Sequence, residues 1–301
     1  MADLRNPEIR ALRDAMAAFA PAPDAPKPTW PERRAGIDAM GAGTPLPAGC
    51  EVTPIKLGGV PAERIVPRGA DATRTIFYLH GGGYCIGGCA SHRAWVATMA
   101  DAAGATAFTV DYRLAPEHPF PAAVDDALAA WRGLLAEGRD PSRTVIGGDS
   151  AGGGLTVATA VAARDAGLPL PAGLHLVSPW ANLTNVGPAY KAKAETDFII
   201  TQAGIDEFAT NYLAGADPRS TLASPVFATL AGLPPMLIQV GSEEVLMSDS
   251  ALLAEIAGLA QVDVTLRIWP DMVHIWPFFG QLSASPRATA ESTAWIKARV
   301  P

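Results

Sequence analysis

A chain of 301 residues, at roughly 150 residues per domain, has room for two domains or for one large domain with an insertion. Hydrophobic residues at 49% against charged residues at 18%, with 29 glycines and 27 prolines, exclude a low-complexity or disordered chain. A net charge of −7 lacks the basic footprint that nucleic acid or an anionic membrane surface selects, so neither is expected as a partner.

Residues 1–21 mix Asp3, Arg5, Glu8, Arg10, Arg13 and Asp14 among apolar positions, which leaves no uninterrupted hydrophobic region of a secretory signal. No run elsewhere reaches the ~18 apolar residues of a membrane span. Cys50, Cys85 and Cys89 leave one thiol over in any disulfide scheme and stand in no metal-ligand spacing, so the expectation is a reducing, cytoplasmic setting without a metal. Ile9, Leu12, Met16 and Phe19 recur at helical spacing and predict a helix over 7–19. The four prolines of 21–28 then forbid a helix and mark a stiff linker.

From about residue 51 the texture becomes β-like, with strands predicted over 75–79, 105–110, 144–146, 174–177, 236–240 and 264–268. Helical stretches at 155–166 and 250–259 alternate with them. That rhythm predicts an α/β fold, a mostly parallel sheet with helices on both faces, and the richness in Val, Ile and Leu fits strands buried on both sides. Between Trp180 and Met236 no strand is visible, so an insertion is expected there. Within it Thr201 caps a helix over 202–213 that carries Ile205, Phe208, Ala209 and Tyr212 on one face. This helix and the N-terminal one both lie outside the rhythm and are expected to pack together as a small cap. Lys191, Lys193, Glu195, Asp197, Asp206 and Glu207 read as the charged surface of that cap.

The strongest chemical signal is Gly148-Asp149-Ser150-Ala151-Gly152, a Gly-x-Ser-x-Gly between a predicted strand and a predicted helix. A turn this sharp pushes Ser150 out of the sheet toward the positive end of a helix, and the glycines avoid collisions with neighbouring strands. A plain glycine turn or a phosphate loop are the alternatives; the latter lacks Gly-Lys-Ser/Thr and a complete GxGxxG. His80-Gly81-Gly82-Gly83 follows the strand at 75–79, where backbone N–H groups of Gly82 and Gly83, with that of Ala151, could meet an oxyanion. His80 itself is expected to orient this loop. A serine nucleophile needs a base, and the choice lies among His80, His92, His118, His175 and His274. His175 sits inside a strand, His92 opens a helix and His118 lies in a proline-bounded turn, whereas His274 follows the last strand, after the acid in chain order. The acid is expected in the loop 241–249: Glu244 is the choice and Glu243 the rival, while Asp271 reads as a loop cap and Asp249 as a helix opener.

With His80-Gly81-Gly82-Gly83-Tyr84, then Asp111-Tyr112-Arg113-Leu114-Ala115-Pro116-Glu117-His118-Pro119-Phe120-Pro121, then Gly148-Asp149-Ser150-Ala151-Gly152, the chain resembles the bacterial hormone-sensitive lipase family of carboxylesterases, family IV, of the α/β-hydrolase superfamily. The resemblance implies an α/β-hydrolase domain over 46–182 and 217–301, with a helical cap from residues 1–45 and the insertion 183–216. It implies that the middle block braces the oxyanion loop and the serine turn, and that the acid falls on Glu244, where the family commonly has Asp. Asn182 also stands where the family often has Asp. The implied activity is cofactor-free hydrolysis of short-chain carboxylic esters, around butyrate to hexanoate, through an acyl-enzyme on Ser150, with a homodimer through an edge strand. The alternatives are an amidase or arylformamidase on the same triad, since the leaving group is not encoded in it, or a small-ligand receptor such as the plant gibberellin receptors. Those receptors have lost the histidine, and His274 argues against that reading.

Overall fold

The computed structural model describes residues 4–18 and 26–301. Phe19 and residues 21–25 of the expected linker lie outside them. The strands are β1 (Glu51–Leu57), β2 (Val60–Val66), β3 (Asp71–Leu79), β4 (Ala105–Val110), β5 (Thr144–Asp149), β6 (Gly173–Val177), β7 (Met236–Gly241) and β8 (Val264–Trp269). They form one sheet in the order β1-β2-β4-β3-β5-β6-β7-β8. The β1–β2 and β2–β4 pairs are antiparallel and every later pair is parallel.

The two-residue period of a strand divides the core between two faces. In β3, Phe77 and Leu79 point toward α4 (Ala122–Ala136), α5 (Ala151–Asp165) and α8 (Met247–Leu259), with the Phe77 ring edge-on to Trp131 at 5.8 Å. Ile76 and Tyr78 point the other way, toward Trp95 and Met99 of α3 (Cys89–Ala103) and Ile296 of α9 (Ser285–Arg299). Each apolar side chain so buried contributes roughly 1.5–3 kcal/mol. The expectation of strands buried on both sides fails for β8. It is the sheet's edge, and Thr265, Arg267 and Ile268 alternate with less accessible neighbours or face solvent.

The expected pairing of the N-terminal helix with the insertion helix is also corrected. Ile9 and Leu12 of α1 (Pro7–Ala18) bury themselves with Trp269, Val273 and Trp276 behind the C-terminal loop. The partner of α7 (Gln202–Leu213) is instead α2 (Trp30–Ala42), a helix the periodicity did not reveal, because none of its residues is fully buried. Trp30 meets the edge of Phe208 at 5.4 Å, Arg33 lies over both rings, and Glu207 pairs with Arg33 and Lys27. Among the described residues no helix is long and apolar enough to cross a membrane.

Candidate active site

β5 ends at Asp149 and α5 begins at Ala151, so Ser150 alone makes the turn, at φ 52° and ψ −122°. Such a backbone is costly for a residue with a Cβ and persists only where the surroundings impose it. Ser150 N–H donates to the Val177 carbonyl (2.9 Å), and its own carbonyl accepts from Trp180 N–H (2.8 Å), pinning the turn to the end of β6. Gly152 lets the first turn of α5 touch the end of β3: a Cβ there would lie 2.0 Å from the Leu79 carbonyl oxygen and 2.4 Å from that of His80. Ser150 keeps 9% of its surface exposed, and its hydroxyl makes no hydrogen bond to any described residue.

The contact at Gly152 sets the loop 80–83 beside the serine. His80 Nδ1–H donates to the Gly81 carbonyl (2.6 Å), the orienting role expected of it, and its ring stacks on Tyr112 at 4.1 Å. Burial first, then the neighbouring His92, push the imidazole down to about 4, so it is neutral at ordinary pH. Tyr112 OH donates to the His80 carbonyl (2.7 Å) and Ala115 N–H to the Tyr84 carbonyl (2.9 Å); the long middle block thus braces this loop. Asp149 ties loop and turn together. It accepts from Tyr78 OH (2.8 Å) and Gly81 N–H (3.1 Å), with His92 Nε2 3.4 Å away. Burial alone would raise its pKa, but His92 and these hydrogen bonds outweigh it and hold the carboxyl below its usual range. The N–H groups of Gly82, Gly83 and Ala151 donate to no described backbone or side-chain acceptor. Gly83, at φ 60°, is roofed by the Phe208 ring of α7, which a Cβ would meet at 2.4 Å.

The loop after β7 brings Glu244 against His274. His274 Nδ1 and Glu244 Oε2 are 2.9 Å apart, and both side chains are buried. The other oxygen, Oε1, accepts from Gly241 N–H (2.6 Å) and Ser178 OH (2.8 Å), while Ser178 Oγ accepts from Ile275 N–H (3.1 Å). Ser178 follows Val177, so one end of β6 holds the turn of Ser150 and the Glu244–His274 pair at once. Burial works against the imidazolium, but Glu244, then Asp197 and Asp149, outweigh it and hold His274 above its ordinary pKa. His274 Nε2 has no hydrogen-bond partner among the described residues, and no hydrogen bond joins it to Ser150; such bonds tighten once a substrate is bound.

The rivals go elsewhere. Glu243 pairs with Lys193 at 3.1 Å. Asp249 is buried and accepts from Ala181 N–H (3.1 Å), Asn182 N–H (2.9 Å) and Tyr190 OH (3.1 Å). Asp271 N–H is bound by Ser242 Oγ at 2.9 Å. His175 Nε2 lies 2.9 Å from Ser292 Oγ, and burial pushes its pKa down to about 4. His118 is exposed, and His92 serves Asp149. Sequence reasoning missed the roles of Ser178 and of Asp149, although Asp149 stands inside the Gly-x-Ser-x-Gly motif; the bracing expected of the middle block falls on Tyr112. It also placed Asp197 on the cap surface, whereas the residue is 2% exposed.

A family model of the alpha/beta hydrolase fold matches residues 76–278. An acetyl-hydrolase of Streptomyces hygroscopicus is 45% identical over 246 residues, covering 82% of this chain and 81% of that one. The crystal structure of an esterase from the bacterial hormone-sensitive lipase family superposes with a TM-score of 0.93 at 40% identity, covering 100% of both chains. That of EstE5 soaked with p-nitrophenyl butyrate gives 0.92 at 41%, covering 98% of this chain and 99% of that one. The chain therefore belongs to the α/β-hydrolase fold family and is a serine ester hydrolase of the bacterial hormone-sensitive lipase type.

Proposed function

We propose that this enzyme hydrolyses short-chain carboxylic esters through an acyl-enzyme on Ser150, with His274 as base and then acid, Glu244 as its carboxylate partner, and Gly82, Gly83 and Ala151 as the oxyanion hole. The observation that carries the reading is the Glu244–His274 hydrogen bond. With Oε1 already accepting two donors, Oε2 fixes the proton on Nδ1 and leaves Nε2 as the acceptor a serine nucleophile needs. Ser150 Oγ attacks the ester carbon as its proton passes to Nε2, and the tetrahedral oxyanion takes up the three unpartnered N–H groups. The imidazolium then protonates the departing alkoxide, and water, deprotonated by the same nitrogen, releases the acid. The helix N-terminus at Ala151 favours the charge that develops beside it.

In this reading the cap is α2 with the insertion 183–216, over a catalytic domain of 46–182 and 217–301, and α1, assigned to the cap with the rest of 1–45 on the sequence, braces the C-terminal loop instead. The preference for short acyl chains is supported by the Phe208 ring, which crowds the proposed oxyanion hole at Gly83. Each added methylene gains about 0.8 kcal/mol only while there is apolar wall to bury it against. The test is kcat/KM for p-nitrophenyl esters from acetate to palmitate, with matched anilides. Activity should peak near butyrate to hexanoate, vanish in Ser150→Ala, and a covalent organophosphate should label Ser150. Turnover of the anilides in preference to the esters would replace the reading by an amidase; an optimum at laurate or beyond would make the enzyme a lipase.

A further inference from the structure

Asp197 belongs to the insertion between β6 and β7, yet it is 2% exposed. Its Oδ1 accepts from Ile199 N–H (3.1 Å) and Ile200 N–H (2.8 Å), which closes a tight turn of its own segment. Its Oδ2 reaches out of the insertion to Val245 N–H at 3.0 Å, the amide next to Glu244. The following residues, Phe198 and Ile199, pack against the hydrophobic cluster to which Val273 and Trp276, on either side of His274 in sequence, belong. Among the described residues no lysine or arginine pairs with Asp197, and Lys193, four residues earlier, is spent on Glu243. A buried carboxylate without a counter-ion is expensive, and amide donors offset only part of that cost. The amide it binds is next to Glu244, whose partner His274 is the group of this cluster that acquires positive charge during the reaction.

We propose that Asp197 is a positioning residue for the hydrolytic reaction: it fastens the insertion to the loop carrying Glu244 and supplies a second negative charge to the imidazolium of His274. The inference rests on the reading of His274 as the base. The charged groups facing His274 are Glu244 from the acid loop, Asp197 from the insertion and Asp149 from the serine turn, and all three act to raise it. The effect is reciprocal, as linkage requires. Burial pushes the Asp197 carboxyl up to about 6, and His274 is the first influence that pulls it down. A carboxylate whose role was confined to its own turn would need only the bonds to Ile199 and Ile200, and could stay at the surface.

The experiment has two arms. In the first, Asp197→Asn and Asp197→Glu are compared with wild type in the pH dependence of kcat/KM. Loss of the negative charge should move the acid limb to lower pH by about 1 unit, and lower the plateau kcat about tenfold, the kinetic equivalent of one unit, with KM little changed. Asp197→Glu, which restores the charge, should return the limb toward its wild-type position. A purely structural residue would lower the plateau and leave the limb where it was. In the second arm, NMR follows the His274 imidazole in Asp197→Asn and the Asp197 carboxyl in His274→Gln, without substrate. The imidazole should titrate lower in the first variant and the carboxyl higher in the second. An unshifted limb, or an unshifted carboxyl when His274 is removed, overturns the proposal. Should Asp197→Asn fail to fold, the carboxyl titration in His274→Gln decides alone. Because that titration needs no turnover, a failure of the esterase reading is seen separately, as ester hydrolysis surviving in Ser150→Ala.

Discussion

Replacing Glu244 by glutamine tests the site at its most constrained atom pair. The two carboxylate oxygens have different obligations: Oε1 accepts from Gly241 N–H and Ser178 OH, whereas Oε2 faces His274 Nδ1. A glutamine at this position must keep its oxygen where the two donors are, because turning its NH2 group there would set donor against donor at 2.6 Å from Gly241 N–H. The NH2 group then faces Nδ1 and forces it to be the acceptor, so the imidazole proton moves to Nε2. A histidine protonated there cannot take the proton of Ser150. In serine hydrolases with this arrangement an acid-to-amide change that keeps the geometry costs roughly 10⁴ in kcat, which is about 5.5 kcal/mol of barrier at 1.36 kcal/mol per decade. The assay is kcat on p-nitrophenyl butyrate at the alkaline plateau, with Glu243→Gln as control. The control breaks only the partly exposed pairing with Lys193 and should stay within about threefold, since such pairs contribute roughly 0–1 kcal/mol. Glu244→Gln within tenfold of wild type, or an equal loss from Glu243→Gln, would refute the reasoning.

Three further outcomes are expected. Ser178→Ala removes the hydroxyl that donates to Glu244 and accepts from Ile275 N–H, and should cost about 1–3 kcal/mol of stability in urea unfolding together with a fall in kcat; an unchanged midpoint would remove Ser178 from the account. Gly83→Ala places a methyl 2.4 Å from the Phe208 ring and should lower kcat by a factor on the order of 10² to 10³, with partial recovery in Gly83→Ala/Phe208→Ala; no recovery would mean that the backbone at φ 60°, not the ring, is what the alanine offends. Asp249, raised by burial to about 7 against 3.8 unperturbed, binds its proton more tightly folded than unfolded, so its contribution to stability is lost as pH rises from about 4 to 7. Asp249→Asn keeps an acceptor for Ala181 and Asn182, and its Tm relative to wild type should therefore improve between pH 5 and pH 8; a constant difference would refute the assignment.

What was legible in the sequence is what local backbone geometry demands. Glycines at 81–83 and 152, next to a strand end and around a serine, mark places where chains approach too closely for a side chain, and such constraints are written residue by residue. The strand rhythm was legible because β3 to β7 are short, apolar and separated by helices. Position in the sheet was passed over, although in β8 Thr265 and Arg267 alternate with Val264 and Leu266, the pattern of a strand covered on one face. For α1, the stripe of Ile9 and Leu12 states that a partner exists without naming it. For α2 the stripe is missing altogether; the readable signs were Thr29 and Glu32, which form a capping box, and Pro31 at the helix start. Asp197 was illegible for another reason. A charged residue in an aperiodic segment reads as exposed unless its distant partner, here the amide of Val245, is already known.

That amide lies in the segment 241–249, and the arrangement of this segment has a consequence for how the insertion acts. Glu244 turns inward to His274, while its neighbours turn outward to the insertion: Glu243 to Lys193, Val245 N–H to Asp197, Ser248 Oγ to Ala189 N–H, and Asp249 to Tyr190, with Asp249 also holding Ala181 and Asn182 just ahead of it. The insertion is therefore docked on the same nine residues that set the position of the proposed acid. One of its attachments, Asp197 on the Val245 amide, is a carboxyl buried against a backbone N–H, which holds only in a narrow range of geometry because a hydrogen bond weakens steeply with angle and distance. A substitution in the insertion that shifts its seat moves Glu244 with it, and a displacement on the order of 1 Å at such a group is enough to cost roughly 10²-fold in rate. On the proposed mechanism, residues of the insertion that never touch the ester thus act on kcat through the position of Glu244.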